Sequence, residues 1–133
     1  MVQQLELSIE VIDDYFHEAK QVTKHNPWLN YAVPLHRCRE MGFQNRVFDL
    51  LDERKLNEDE LLEFLKLLFG PTAFQKAPDI HTEWKKFVTY LQFILNSETE
   101  QFNPITKKRS PWIDIRQLNK SYSGSFRRFF KRR

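Results

Sequence analysis

The sequence NEDELLEFLKLLFGP, residues 57–71, contains the signals of a complete helix. Asn57 is a good N-cap residue, the three acids after it suit the positive end of a helix dipole, and Glu60 completes a pattern close to a capping box. Residues 61–69 are mostly Leu and Phe and leave little polar face. Gly70 and Pro71 terminate the pattern in the usual order. We predict that this helix is the most buried one of the fold.

Three further elements are predicted upstream of this helix. Apolar residues at helical spacing favour a helix over 8–24. Apolar and polar residues alternate over 5–11, as they do in a strand. Residues 2–11 therefore fit either a strand or a helix, and we favour the helix. Asn26 and Pro27 start a short turn as cap and first residue, and Pro34 starts a second helical segment with Leu35, Cys38 and Met41 on one side. Gly42 permits a bend before a helix over 43–55.

Downstream, Asp79 is a candidate cap for a helix over 80–96, and the polar residues 97–109 are predicted to be a connector. Ser110, Pro111 and Trp112 again have the order of cap, proline and first-turn tryptophan. The sequence therefore predicts four to five helices in total. We therefore predict an all-α protein, a compact bundle that ends in a basic amphipathic C-terminal helix.

Length and composition restrict the class of protein. The chain has 133 residues, enough for one domain with its own core, and its 12 Phe and 3 Gly are unlike a disordered chain. Its single cysteine, Cys38, cannot form an internal disulfide and fits a reducing compartment. We see no secretory signal and no apolar run of about 20 residues. A soluble, intracellular and cytoplasmic protein is the expectation.

The charge divides the chain into two parts. Residues 1–106 carry 11 Lys or Arg and 17 Asp or Glu, a net charge of −6, whereas residues 107–133 carry ten bases and one acid, a net charge of +9. We interpret the chain as one domain made of an acidic helical body, 1–106, and a basic aromatic C-terminal segment, 107–133. Such asymmetry suggests an electrostatic partner for the basic part, although a solvated tail has the same composition.

A helical projection of the basic segment separates two kinds of side chain. Apolar residues 115, 118, 122, 126, 129 and 130 form one stripe, and Gly124 weakens the helix in its middle. The candidate polyanion-binding residues lie largely outside this stripe: Lys107, Lys108, Arg109, Arg116, Lys120, Arg127, Arg128, Lys131, Arg132 and Arg133. The candidate aromatic contacts, by stacking or by packing, are Trp112, Tyr122, Phe126, Phe129 and Phe130.

Three kinds of partner fit this segment. Its cations could neutralise the phosphates of DNA or RNA while aromatic rings stack on bases. The same pattern could bind an anionic membrane surface, or an acidic protein such as a second copy of the chain. We favour nucleic acid, because Arg outnumbers Lys four to one in the last eight residues and Arg is the better bidentate phosphate ligand. The alternative is a protein–protein adaptor or oligomerising subunit.

No catalytic signature is present in the sequence, so we predict a non-enzymatic protein without catalytic residues, cofactor, metal or small-molecule substrate. Asp13 and His17 could share a proton or metal, but an exposed pair is the simpler interpretation. His36 and Cys38 are too few for a zinc site. A helix–turn–helix over 43–69 is rejected, because the acids at the start of its second helix would repel DNA.

Overall fold

The computed structural model describes residues 9–42 and 44–122, with side chains from residue 14 onward. The predicted all-α class is confirmed, since most of the described chain is helical. The helices are α1 (Ile9–His25), α2 (Val33–Glu40), α3 (Arg46–Leu50), α4 (Glu58–Phe69), a 3₁₀ turn (Pro71–Phe74), α5 (Trp84–Asn96) and α6 (115–122). A small antiparallel hairpin, β1 (Gln101–Asn103) and β2 (Lys108–Ser110), lies between α5 and α6.

Helix α4 begins and ends where its sequence signals predict. The Asn57 side chain accepts from the backbone N–H of Glu60 at 2.8 Å, and the Glu60 carboxylate accepts from the N–H of Asn57 at 2.9 Å, which completes the capping box. Gly70 follows with φ of +94°, a conformation that favours glycine. The helix buries one face rather than its whole circumference, since Leu67 is 42% exposed.

The helix predicted over 8–24 is confirmed as α1, and residues 9–11 are helical rather than extended. Residues 1–8 lie outside the described residues. The buried stripe of α1 is Tyr15, Ala19 and Val22, while Phe16 is exposed. Asn26 does not cap a following turn. Its buried amide donates to the carbonyls of Leu51 (2.9 Å) and Arg54 (3.0 Å), and its oxygen accepts from the N–H of Leu56 (3.1 Å). Asn26 thereby ties the end of α1 to the α3–α4 connection.

Helices α2 and α3 differ from prediction in their details. Pro34 lies in the first turn of α2 as predicted, and Gly42 has φ of +89° at the predicted bend. Cys38 and Met41 are exposed, so they do not share the burial of Leu35. The predicted helix over 43–55 is wrong in extent, because the Asn45 side chain caps α3 by accepting from two backbone N–H groups and turns follow from residue 51.

The predicted helix over 80–96 begins later, at Trp84. The reason is local, because the Asp79 carboxylate accepts from the N–H of His81 and the hydroxyl of Thr82 and so holds residues 79–82 in a turn. From Trp84 onward the apolar stripe is as predicted, with Trp84, Phe87, Leu91 and Leu95 buried.

The segment predicted as a connector, 97–109, joins α5 to α6 and forms most of a hairpin that the sequence pattern did not predict. Gln101, Phe102 and Asn103 pair with Ser110, Arg109 and Lys108. Within the turn, the Asn103 carbonyl accepts from the N–H of Lys107 at 2.7 Å, and Lys107 has φ of +60°. Ser110 therefore belongs to a strand and cannot cap a helix. Helix α6 starts after Asp114, whose carboxylate accepts from the N–H of Gln117 at 3.2 Å.

The two proline–tryptophan segments, 26–28 and 110–112, lie near each other in the fold. An antiparallel bridge joins Leu29 to Ile113, the N–H of Asn30 donates to the carbonyl of Trp112 at 2.9 Å, and the N–H of Asp114 donates to that of Trp28 at 2.8 Å. This bridge attaches the start of the basic segment to the body.

A single apolar core includes side chains from all six α-helices. The basic segment contributes Ile113, Leu118 and Tyr122, each no more than 4% exposed. Of the predicted apolar stripe, the described members are Ile115, which is half-buried, and Leu118 and Tyr122, which are buried. None of the helices in the described ranges combines the length and the hydropathy that crossing a bilayer requires.

Candidate nucleic-acid interface

The structure places five of the ten predicted polyanion-binding residues. Lys107 lies in the hairpin turn and Lys108 and Arg109 lie on β2, whereas Arg116 and Lys120 are one helical turn apart on α6. All five are exposed. The other predicted residues fall beyond Tyr122, outside the described residues: Arg127, Arg128, Lys131, Arg132, Arg133, and the aromatic residues Phe126, Phe129 and Phe130.

These five cations, which we call the basic surface, differ from several cations of the body in their electrostatic partners. Arg39, Arg46 and Arg54 form ion pairs with carboxylates. Within residues 14–42 and 44–122, no member of the basic surface forms an ion pair. Arg109 donates to the backbone carbonyl of Glu100 at 3.2 Å, which orients its side chain without neutralising it. The positive charge of this surface remains available to an external anion.

Of the two roles considered for Tyr122, packing is the one that its position allows. The side chain is 4% exposed, its hydroxyl donates to the carbonyl of Leu56 at 2.7 Å, and its ring centroid lies 5.7 Å from that of Trp84. Burial raises the pKa of this hydroxyl. The ammonium of Lys55 lies 4.6 Å from the ring centroid, so the ring already has a cationic neighbour.

Trp112 has a more accessible position. It is half-buried and borders an apolar groove of about 320 Å³. The other residues of this groove are Pro34, Leu35, Cys38, Phe48, Phe64, Leu67 and Leu68. The bridge between Leu29 and Ile113 positions Trp112, because it holds the backbone of residues 112–114 against the body.

A second concavity, the bridge cleft, lies where the bridge, the hairpin and the start of α6 meet. It has a volume of about 500 Å³ and includes Arg116 of the basic surface. Its remaining lining comes from several other parts of the chain: Thr23, Pro27, Leu29, Asn30, Gln92, Leu95, Asn103, Thr106, Ser110, Pro111, Ile113, Asp114 and Ile115. Sequence reasoning identified Arg116 but missed the cleft, because its walls are distant from one another along the chain.

Two buried or half-buried amides give the cleft its shape. Asn30 donates to the carbonyls of Gln101 (3.1 Å) and Ser110 (3.2 Å), and its own oxygen accepts from the amide of Asn103 at 2.9 Å. The Asn103 oxygen accepts in turn from the N–H of Ile105 at 2.8 Å. These hydrogen bonds hold the hairpin on the body. Because both amides are engaged in them, a ligand in the cleft would contact other side chains.

A group of ionisable residues links α1 to α2. Glu18 accepts from the hydroxyl of Tyr31 at 2.8 Å and lies 2.6 Å from both Nδ1 of His36 and the guanidinium of Arg39. Burial raises the pKa of Tyr31, and it raises that of Tyr15 to about 12. Glu18 contacts all three groups and so joins α1 to α2 and to the segment between them, which makes the arrangement a structural tie. No local pattern in the sequence signals this tie, since Glu18 and His36 are 18 residues apart.

The structure describes one of the two histidine pairings that the sequence offers. His36 is buried while Cys38 is exposed, so the two side chains of α2 point to different surroundings. His17 is exposed, and the Asp13 side chain is outside the described part of the chain. Among the residues that the structure describes, no three His, Cys, Asp or Glu side chains are grouped to hold a metal ion.

Comparison of the chain with protein-family models, with curated proteins and with solved structures gives no match.

Proposed function

We propose that this protein is a non-enzymatic helical binding protein whose basic C-terminal segment contacts a polyanion, with DNA or RNA as the favoured partner. The observation that carries the proposal is the basic surface. Its five cations are exposed and have no carboxylate partners in the described chain. Three lie on the hairpin, which Asn30 holds on the body, and two lie on α6, whose apolar face is buried in the core. Anchoring reduces the conformational entropy that the surface loses when it binds.

The chemistry of phosphates supports nucleic acid as the polyanion. Each phosphate that a Lys or Arg neutralises releases condensed counterions, which makes binding favourable at low salt and weaker at high salt. The net charge of −6 in residues 1–106 repels a polyanion from the body and favours contact through the basic segment. Residues 127–133 add five more cations to the +4 net charge of residues 107–122. A cytoplasmic location, which we also propose, would give the chain access to RNA.

The test is a titration of labelled single- and double-stranded oligonucleotides at several salt concentrations. In a quadruple variant, Lys107, Lys108, Arg116 and Lys120 are replaced by Gln. For duplex DNA, the slope of log affinity against log salt becomes shallower by about 0.9 for each phosphate that is no longer neutralised, so by up to roughly 3.6. Deletion of residues 125–133 is expected to abolish binding. Thermal unfolding serves as the folding control, because exposed substitutions change stability by about 0.5 kcal/mol or less.

The matched control replaces four exposed lysines of the body, Lys20, Lys24, Lys66 and Lys76, by Gln. It removes the same charge from a different surface, so its salt dependence should stay close to that of the unmodified protein. Absence of binding by the unmodified protein at low salt, or equal reductions of the slope in the two quadruple variants, would contradict the proposal.

The apolar groove beside Trp112 favours a second candidate, a protein–protein adaptor or oligomerising subunit. Leu67 is 42% exposed at its edge, and grooves lined by apolar and aromatic side chains are common at protein interfaces. Light scattering of the purified protein measures oligomerisation. Flotation with anionic and neutral liposomes separates attachment to a membrane surface from both candidates.

A further inference from the structure

The bridge cleft is open to a ligand beside a cation of the basic surface. We propose that it holds one unstacked base of a single-stranded nucleic acid, with the neighbouring phosphate bound by Arg116. This inference rests on the proposed function and makes it more specific, because it names the strandedness of the ligand and the place of one nucleotide. The volume of the cleft, its lining and its position each support it.

The volume of the cleft suits a ligand the size of a nucleotide. It measures about 500 Å³, within the range of roughly 300–1,000 Å³ that small-ligand sites occupy. Its apolar lining includes Pro27, Pro111 and Ile115, none of them fully buried, so a ring can pack on them. A base therefore finds an apolar wall for its faces.

Polar side chains at the cleft can form hydrogen bonds with the edges of a base. The Thr23 and Thr106 side chains are exposed, and Gln92 donates from its nitrogen to Asn96 at 3.1 Å, which leaves its carbonyl oxygen to accept from a base. Asp114 is exposed and can also accept from base amino groups, although its charge disfavours a phosphate beside it. Unstacked bases are recognised by such contacts together with packing on their faces.

Arg116 connects the cleft to the basic surface. It lines the cleft, is exposed and has no ion-pair partner among the described residues. A guanidinium can bind a phosphate through two parallel hydrogen bonds. The hairpin turn contributes Thr106 to the cleft and Lys107 to the basic surface, so one backbone segment serves both. A strand that follows the cations thus passes the mouth of the cleft.

Single strands are favoured over duplexes for a physical reason. A base in a duplex must be unpaired and unstacked before it can enter a cleft, whereas a base in a single strand has no pairing to lose. Cations alone bind both forms. The cleft should therefore contribute only to the affinity for single strands, and this difference makes the proposal testable.

The experiment fills the cleft in the full-length protein. Thr23→Trp introduces a bulky side chain from α1, and Gln92→Trp introduces one from the wall that α5 provides. The matched control is Thr89→Trp, since Thr89 is exposed on α5 and does not line the cleft. Fluorescence anisotropy measures the Kd for a labelled single-stranded oligonucleotide and for the same strand in a duplex. Circular dichroism confirms that each variant is folded.

We expect each cleft-filling variant to raise the Kd for the single strand about tenfold and to leave the Kd for the duplex within about twofold. The control should leave both constants unchanged. If folded cleft variants bind the single strand as the control does, the cleft proposal is wrong while the proposed function stands. If the unmodified protein binds neither form, both proposals fall. An equal weakening for both forms would also overturn the cleft proposal, because it indicates a general electrostatic or structural effect.

Discussion

The body and the basic segment use their polar groups in different ways. In the body, Glu60 accepts two hydrogen bonds from Arg54, at 2.8 and 2.7 Å, and the buried Asn26 is saturated by backbone groups. In the basic segment, buried apolar side chains and backbone hydrogen bonds provide the attachment, and the cations face solvent without carboxylate partners in the described chain. Charge therefore contributes to folding in one region and stays exposed, without ion pairs among the described residues, in the other.

The largest expected effect comes from the apolar anchor of the basic segment. Leu118 is fully buried, so Leu118→Ala should lower the free energy of unfolding by about 2–5 kcal/mol, because transfer energy is lost and a cavity is left. Urea denaturation measures this change. Lys120→Ala, on the exposed face of the same helix, is the control and should stay within about 0.5 kcal/mol. A decrease below about 1 kcal/mol for Leu118→Ala would show that the segment contributes little to the core.

An intermediate effect is expected at Asn26. Asn26→Ala leaves the Leu51 and Arg54 carbonyls and the Leu56 N–H without these partners, and we expect a decrease of about 2–4 kcal/mol in the free energy of unfolding. Asn96→Ala, on an exposed part of α5, should cost far less. Chemical denaturation compares the two variants. Equal small decreases would mean that water replaces the amide of Asn26, and the body would then be less dependent on internal polar contacts.

The smallest expected effect concerns the pH dependence of the body. The Arg54 guanidinium lowers the pKa of Glu60 from 4.5 to about 2, with help from the N–H of Asn57. Because the folded state binds the proton less tightly, the stabilisation is complete above about pH 5 and disappears as the pH falls from 4.5 towards 2. Glu60→Gln should lower the free energy of unfolding at pH 7 by about 1–3 kcal/mol and flatten the acid decline.

Thermal unfolding between pH 2 and pH 7 tests this prediction. Glu63→Gln is the control, since the Glu63 side chain is 46% exposed and pairs with the exposed Arg46 at 3.6 Å. Its unfolding profile should follow that of the unmodified protein. If the Glu60 and Glu63 variants have the same acid profile, the pairing of Glu60 with Arg54 does not stabilise the body.

Local sequence signals predicted the helices where their information lies within a few residues. The capping box of α4 involves residues within one turn of the helix, and Gly70 and Gly42 each determine the backbone at their own position. These features could therefore be predicted from the sequence alone. The errors at α3 and α5 were also local. Asn45 accepts from the N–H groups of Val47 and Phe48 and so caps α3. Asp79 accepts from the N–H of His81 and the hydroxyl of Thr82, and this turn delays the start of α5.

The candidate site was predictable in charge but not in shape. The division at residue 106 follows from the composition, and Arg116 and Lys120 are exposed on α6 as the amphipathic pattern predicts. The bridge between Leu29 and Ile113 and the amide contact of Asn30 with Ser110 join residues that are 80 or more positions apart. The bridge cleft depends on these contacts, and periodicity within a helix or strand contains no information about them.

The sequence by itself determined the helical class, the ends of α4 and the separation of an acidic body from a basic segment, because propensity, capping and charge act over short distances. Only the tertiary structure decided which polar groups form hydrogen bonds inside the protein and which remain exposed. It buried Tyr122 against Trp84, saturated Asn26 and Asn30, and left Arg116 at the edge of a cleft. Burial and pairing depend on residues far apart in the chain, which come together only when the core forms.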